Sequence, residues 1–179
     1  MPTHTLRKKT SEMRFGGPAL VVGEFISSDA VLRGKYAFLP PAEMVPHLLE
    51  EESPPVNEVL RRSRTLVSGA GFGYGSGRES PARALKEAGI TLIVSPSFGR
   101  MFYRNLINQG ILAIECPKIA DCPVQTADDV VADLADRKIL WRDRALPFGA
   151  IPSFLIEMIC AGGLVAYCRS NGKDVSWQD

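Results

Sequence analysis

The spacing of apolar residues switches between short unbroken runs and helical three-to-four-residue periods, and each switch marks an element. Residues 19–22 (Ala-Leu-Val-Val) read as a strand that leads through Phe25-Ile26 into a polar turn at Ser27-Ser28-Asp29. Residues 42–52 lie between Pro40-Pro41 and Pro54-Pro55 and carry a helical pattern, with Pro46 near its start, where proline is tolerated in the first turn. From Arg64 onward the pattern is regular. Residues 65–68 (Thr-Leu-Val-Ser), 91–95 (Thr-Leu-Ile-Val-Ser) and 111–114 (Ile-Leu-Ala-Ile) read as buried strands. Ser80-Pro81 opens a helix that stops at Gly89. Ser97 is read as the cap of the next helix, whose Phe98, Met101, Phe102 and Leu106 share a face and which ends at Gly110.

Strands separated by helices predict right-handed βαβ crossovers and a parallel sheet. Further on, Thr126 is read as the cap of a helix carrying Val130, Val131 and Leu134. Residues 139–141 read as a strand, 153–160 as a helix ended by Gly162-Gly163, and 164–167 as a final apolar strand. The fold class is α/β, a single domain over residues 15–179 with a parallel βαβαβ core. Residues 1–14 are polar and basic (Arg7, Lys8, Lys9) and are expected to form a flexible N-terminal tail.

Composition narrows the function. With 179 residues, 45% of them apolar, the chain has enough material for one buried core. No apolar run reaches the roughly 18 residues of a membrane span, and no secretory leader is recognisable at the start. The net charge of +1 provides no field for nucleic acid. Cys116, Cys122, Cys160 and Cys168 form no C-x-x-C pair, and His4 and His47 are the only histidines. That leaves this chain without the usual ligand spacing of a zinc or iron–sulfur site, so a metal needed for function is expected from another chain. The cysteines are read as free buried thiols in a reduced, cytoplasmic protein.

The most informative stretch is Gly69-Ala70-Gly71-Phe72-Gly73-Tyr74-Gly75-Ser76-Gly77-Arg78-Glu79-Ser80, between a strand and a helix, where open α/β sheets bind ligands. The dinucleotide fingerprint G-x-G-x-x-G fails in every register, and no lysine completes a phosphate loop. A hydrolase elbow fails too, because Ser76 lacks the G-x-S-x-G spacing and no histidine follows it. What remains is Ser76 beside Arg78 at a helix entrance. A planar guanidinium there matches a carboxylate, and the positive field favours a serine alkoxide as base or nucleophile. The competing reading is a tight turn in which Arg78 pairs with Glu79 or another acid.

These residues resemble the Gly-Ser-Ser-Arg-Glu-His loop of the aconitase superfamily's swivelling domain. They are most similar to that of its stand-alone representatives, the small subunits of the 3-isopropylmalate dehydratase type. The segment Ile26-Ser27-Ser28-Asp29 through Gly34-Lys35-Tyr36 is similar to the family's Ile-Ser-Thr-Asp…Gly-Arg-Tyr. Ser97-Phe98-Gly99-Arg100-Met101-Phe102, with Asn105 and Gly110, is similar to its Ser-Phe-Ala-Arg-Ile-Phe…Asn…Gly helix, and Ala161-Gly162-Gly163-Leu164-Val165 to its ending.

The resemblance implies a swivelling β/β/α domain that docks on a separate large subunit holding a 4Fe-4S cluster, with no cofactor bound by this chain. It implies a hydro-lyase that isomerises a small 2-hydroxy diacid by dehydration and rehydration, in leucine or a related biosynthesis. Ser76 would be the base and Arg78 the carboxylate clamp, with Gly77, Phe38 and Asp29 as substrate-binding candidates. Two positions depart from the family: Gly77 replaces its second serine and Ser80 its histidine. Arg33 stands where the family often has proline. Phe38 occupies the segment linked to substrate choice, where homoaconitase-type relatives place an arginine, and suits an apolar substituent; an ordinary core aromatic is the alternative. Other apolar-substituted malates (methylmalate, dimethylmalate, benzylmalate), homoaconitate, or a non-catalytic anion-binding domain are the alternative functions. Asn105, Asn108 and the run Glu50-Glu51-Glu52 are read as solvated.

Overall fold

One strand organises the whole molecule. In the computed structural model, which describes residues 13–51 and 56–170, β1 (Arg14–Val22) belongs to two kinds of sheet at once. Its second half, from Ala19 to Val22, pairs in parallel with β2 (Thr65–Ser68), and its first half, from Arg14 to Pro18, pairs antiparallel with β5 (Asp129–Asp133). The seven strands lie in the order β4-β3-β2-β1-β5-β6-β7, with β3 (Leu92–Ser95), β4 (Leu112–Glu115), β6 (Lys138–Trp141) and β7 (Arg144–Pro147). β2 and β3 are buried along their full length, as expected for parallel strands covered on both faces. Arg14, assigned by the sequence to the tail, opens β1 and pairs with Asp133; residues 1–12 lie outside the described residues.

The helices follow as α1 (Ser28–Val31), α2 (Pro41–Met44), α3 (Asn57–Arg62), α4 (Ser80–Glu87), α5 (Arg100–Asn108), α6 (Ser153–Cys160) and α7 (Leu164–Ser170). α4 and α5 are the two crossovers, each terminated by a glycine of positive φ, Gly89 and Gly110. The core joins Leu66, Ile93 and Leu112 of the parallel strands to Leu85 of α4 and to Phe102 and Leu106 of α5, all with no exposed surface. Burying each such side chain contributes roughly 1.5–3 kcal/mol.

Five further sequence expectations are corrected by these elements. Residues 129–133 are strand β5, not helix: Asp129-Val-Val-Ala-Asp alternates out and in between β1 and β6, and Thr126 Oγ1 accepts a hydrogen bond from Val21 N at 3.1 Å instead of capping a helix. Residues 164–170 are helix α7, not strand, because Gly162 and Gly163, both at positive φ, turn the chain sharply and Tyr167 N then donates to Gly163 O. The segment 42–52 is no continuous helix: α2 is one turn, and Pro46 lies in the 3-10 turn Val45–His47 that follows, while Glu52 lies outside the described residues. Glu50 is not merely solvated, since it lies within ion-pair reach of Arg33, Lys35 and His47 and accepts from Tyr36 Oη. Of the four thiols only Cys116 is buried, and that burial pushes its pKa up; Cys160 and Cys168 are exposed. Among the described residues no single helix is long and apolar enough to cross a membrane.

Candidate functional site

The parallel strands β1, β2 and β3 run the same way, so the segments leaving their carboxyl ends gather at one edge. Three segments meet there: 23–29 after β1, the glycine-rich loop 69–79 after β2, and 96–99 after β3. They are sewn together through main-chain groups. Gly73 N donates to Ile26 O at 2.7 Å and Ser28 N to Tyr74 O at 2.7 Å, while Phe72 N donates to Ser97 O at 3.0 Å and Gly99 N to Phe72 O at 2.9 Å. Ser95, fully buried, donates its hydroxyl to Gly69 O at 2.7 Å. Ser97 does not cap α5, whose cap position is Gly99; its Oγ accepts from Gly71 N at 2.9 Å and so serves the loop.

The loop lies over an aromatic base. Phe72 is buried, with edge-on ring contacts to Phe102 (5.5 Å between centroids) and Phe98 (6.3 Å). Gly73 takes φ +76 directly above Phe102, where any Cβ would overlap the ring, so glycine is required by both backbone and space. Four of the five alternating glycines, at 71, 73, 75 and 77, have positive φ. The chain thereby zigzags outward and lifts Ser76 to the surface, where its side chain is exposed.

Ser76, Arg78 and Asp29 converge. Ser76 Oγ donates to Asp29 Oδ1 at 3.1 Å and lies 3.3 Å from the hydroxyl of the buried Ser28. Arg78 NH2 donates to the same Asp29 Oδ1, forming an ion pair. The acid that Arg78 meets is Asp29, not its chain neighbour Glu79. Arg78 Nε is buried with no hydrogen-bond partner, so the guanidinium retains unused donor capacity. Gly34 is part of the same fit, because a Cβ there would overlap Arg78 NH1. Ser27 Oγ accepts from Ala30 N at 3.0 Å and caps α1, which leaves Asp29 free to face the loop.

Sequence reasoning missed Asn105. Read as solvated, it is half-buried and its Nδ2 donates to Gly77 O at 2.9 Å and Arg78 O at 3.0 Å, gripping the main chain beneath Ser76 and Arg78. Gln109, one turn on, donates to Glu79 Oε1. The available signal was asparagine in mid-helix, where propensity alone disfavours it, on the side of α5 that carries Phe102. Phe38 is no core aromatic: its ring is 96% exposed, in the turn that follows Gly34. Its segment lies against Arg78 through Gly34. Among the described residues no three His, Cys, Asp or Glu side chains come together as metal ligands.

A hydroxyl, a carboxylate and a guanidinium on an exposed strand-end edge form an arrangement suited to acid–base work on an anionic substrate. Residues 49–119 match the family profile of the aconitase C-terminal domain. A 3-isopropylmalate dehydratase small subunit from Moorella thermoacetica is 34% identical over 160 residues, covering 88% of this chain and 96% of that protein. The chain belongs to the 3-isopropylmalate dehydratase small-subunit family. A small subunit 1 from Methanopyrus kandleri is 34% identical over 159 residues, 87% of this chain and 93% of that one. The crystal structure of a 3-isopropylmalate dehydratase chain from Methanocaldococcus jannaschii matches with a TM-score of 0.79 at 28% identity, over 89% of this chain and 95% of that chain. This member of the dehydratase small-subunit family accommodates its two departures locally. Gly77 has φ +68, a conformation that a serine would adopt only with strain, and Ser80 is buried as the first residue of α4.

Proposed function

We propose that this chain is the substrate-handling half of a hydro-lyase that isomerises a 2-hydroxy diacid with an apolar branch, 2- and 3-isopropylmalate being the first pair to assay. The observation that carries this reading is Asp29 Oδ1 bridging Ser76 Oγ and Arg78 on an exposed edge. Ser76, as its alkoxide, takes the proton from the carbon next to the leaving hydroxyl, and returns it in the reverse direction during rehydration. Arg78 exchanges its contact with Asp29 for a substrate carboxylate, a planar match with two parallel hydrogen bonds. Asn105 fixes the Gly77 and Arg78 carbonyls, so that hydroxyl and guanidinium keep their spacing. A 4Fe-4S cluster on the large subunit would supply the Lewis acid for the leaving hydroxyl.

The large subunit completes the site. Phe25, Tyr74 and Met101 are 61%, 50% and 55% exposed on the segments that frame the Ser76 loop, which suits a face covered by a partner. Phe38, exposed and uncharged, suits the apolar branch of the diacid over the extra carboxylate of homoaconitate. The test is co-expression with a cluster-loaded large subunit and assay against isopropylmalate, methylmalate, benzylmalate and homoaconitate. Turnover of an apolar-substituted malate, lost with Ser76→Ala, is the expected result. The departures at Gly77 and Ser80 favour one second reading, a non-catalytic anion-binding domain; diacid binding without turnover in the assembled complex would establish it.

A further inference from the structure

α5 presents two faces. Phe102, Asn105 and Gln109 hold the glycine-rich loop, whereas Arg100, Tyr103, Arg104 and Ile107 turn the other way and line a separate cleft of about 500 Å³ against α6 and the end of β4. Its volume is within the usual range of small-molecule pockets. Ile107 and Met158 are buried and Leu155 is half-buried, so the floor is aliphatic. Three charges rim it: Arg100, Arg104 and Glu115. Among the described residues none of these three side chains makes an ion pair or a hydrogen bond, although opposite charges share one cleft.

Arg100 and Arg104 are one helical turn apart on the same side of α5, so their guanidinium groups can address one carboxylate. Glu115 leaves the end of β4 beside Tyr103. Burial, and then the charge of Glu115, push the Tyr103 phenol above its ordinary pKa, keeping it a hydrogen-bond donor. A simple carboxylic acid would satisfy the arginines but would leave Glu115 unmatched; a cationic ligand would do the reverse. We propose that this cleft binds a small zwitterion of the α-amino acid class with an aliphatic side chain: its carboxylate on Arg100 and Arg104, its ammonium on Glu115, and its side chain on Ile107, Leu155 and Met158. Neither Ser76 nor Arg78 nor Asp29 lines this cleft.

Calorimetric titration of the full chain with L-norleucine, hexanoic acid and pentylamine tests this directly, because each of the last two lacks one of norleucine's charges. Norleucine binds in the millimolar range or tighter, and each analogue binds at least about tenfold more weakly, the loss of one charge-assisted contact. The double substitution Arg100→Gln, Arg104→Gln abolishes the binding, and Glu115→Gln makes norleucine and hexanoic acid equivalent. In the unsubstituted protein, norleucine shifts the methyl NMR signals of Met158 and Leu155. An absence of heat, equal affinity for hexanoic acid and norleucine, unchanged binding in either variant, or silent Met158 and Leu155 methyls would each overturn the assignment.

Discussion

The two halves of the sheet treat their polar groups differently. In the parallel half, crossover helices carry the chain away from each strand end, so the segments after β1, β2 and β3 are free to meet and cradle Ser76, Arg78 and Asp29. In the antiparallel half, the turns just before and just after β5 use their polar side chains to close themselves. Asp133 accepts from Ala135 N and Asp136 N, and Asp128 accepts from Trp141 Nε1 at 2.8 Å and from Gln125 N at 3.0 Å. Where strand ends gather at one edge, polar groups face outward together; where turns fold back on the sheet, their closure consumes them.

Four substitutions bear on that contrast. In the assembled enzyme, Ser76→Ala is expected to lower kcat about 100-fold or more with a native thermal melt, and retention of a tenth of the activity would remove the base from the parallel half. Gly73→Ala forces a Cβ into Phe102 at positive φ and is expected to cost about 2–4 kcal/mol in urea unfolding. The matched change Gly149→Ala, beyond β7 in open space, should stay within about 0.5 kcal/mol. Asn105→Ala strips the donors from the Gly77 and Arg78 carbonyls and should cost about 1–3 kcal/mol, with diacid KM rising more than kcat falls.

A further small effect belongs to the antiparallel half. Hydrogen bonds from Gln125 N and Trp141 hold the Asp128 carboxyl below its ordinary pKa. Its stabilisation is therefore complete above the unfolded value of about 3.9 and is lost as pH falls through the lower folded value. Asp128→Asn should melt slightly below the native protein at neutral pH, with the gap closing in acid; a gap constant from neutral to strongly acidic pH would deny the carboxylate its role.

The parallel half was legible because its strands are unbroken apolar runs bounded by glycine and serine. Its loop was legible because glycine at every second position has few uses. β5 was not, because Val130, Val131 and Leu134 fit a helical period as well as a strand, and only pairing with β1 decides between them. α7 was misread for a similar reason: four apolar residues carry no period of their own. At the site, Ser76 and Arg78 stood out by chemistry, whereas Asn105 and Ser95 act on main-chain carbonyls far away in sequence, and no local pattern announces such a partner.

Asp29 has one further consequence. Because its carboxylate already occupies the guanidinium of Arg78, the proposed carboxylate clamp would carry a built-in competitor for an incoming acid. Stray metabolites offering a single weak oxygen gain nothing by displacing it. In the proposed role, only a molecule that brings two well-placed oxygens, held in register by other contacts, would win the exchange, so selectivity would start with an internal rival.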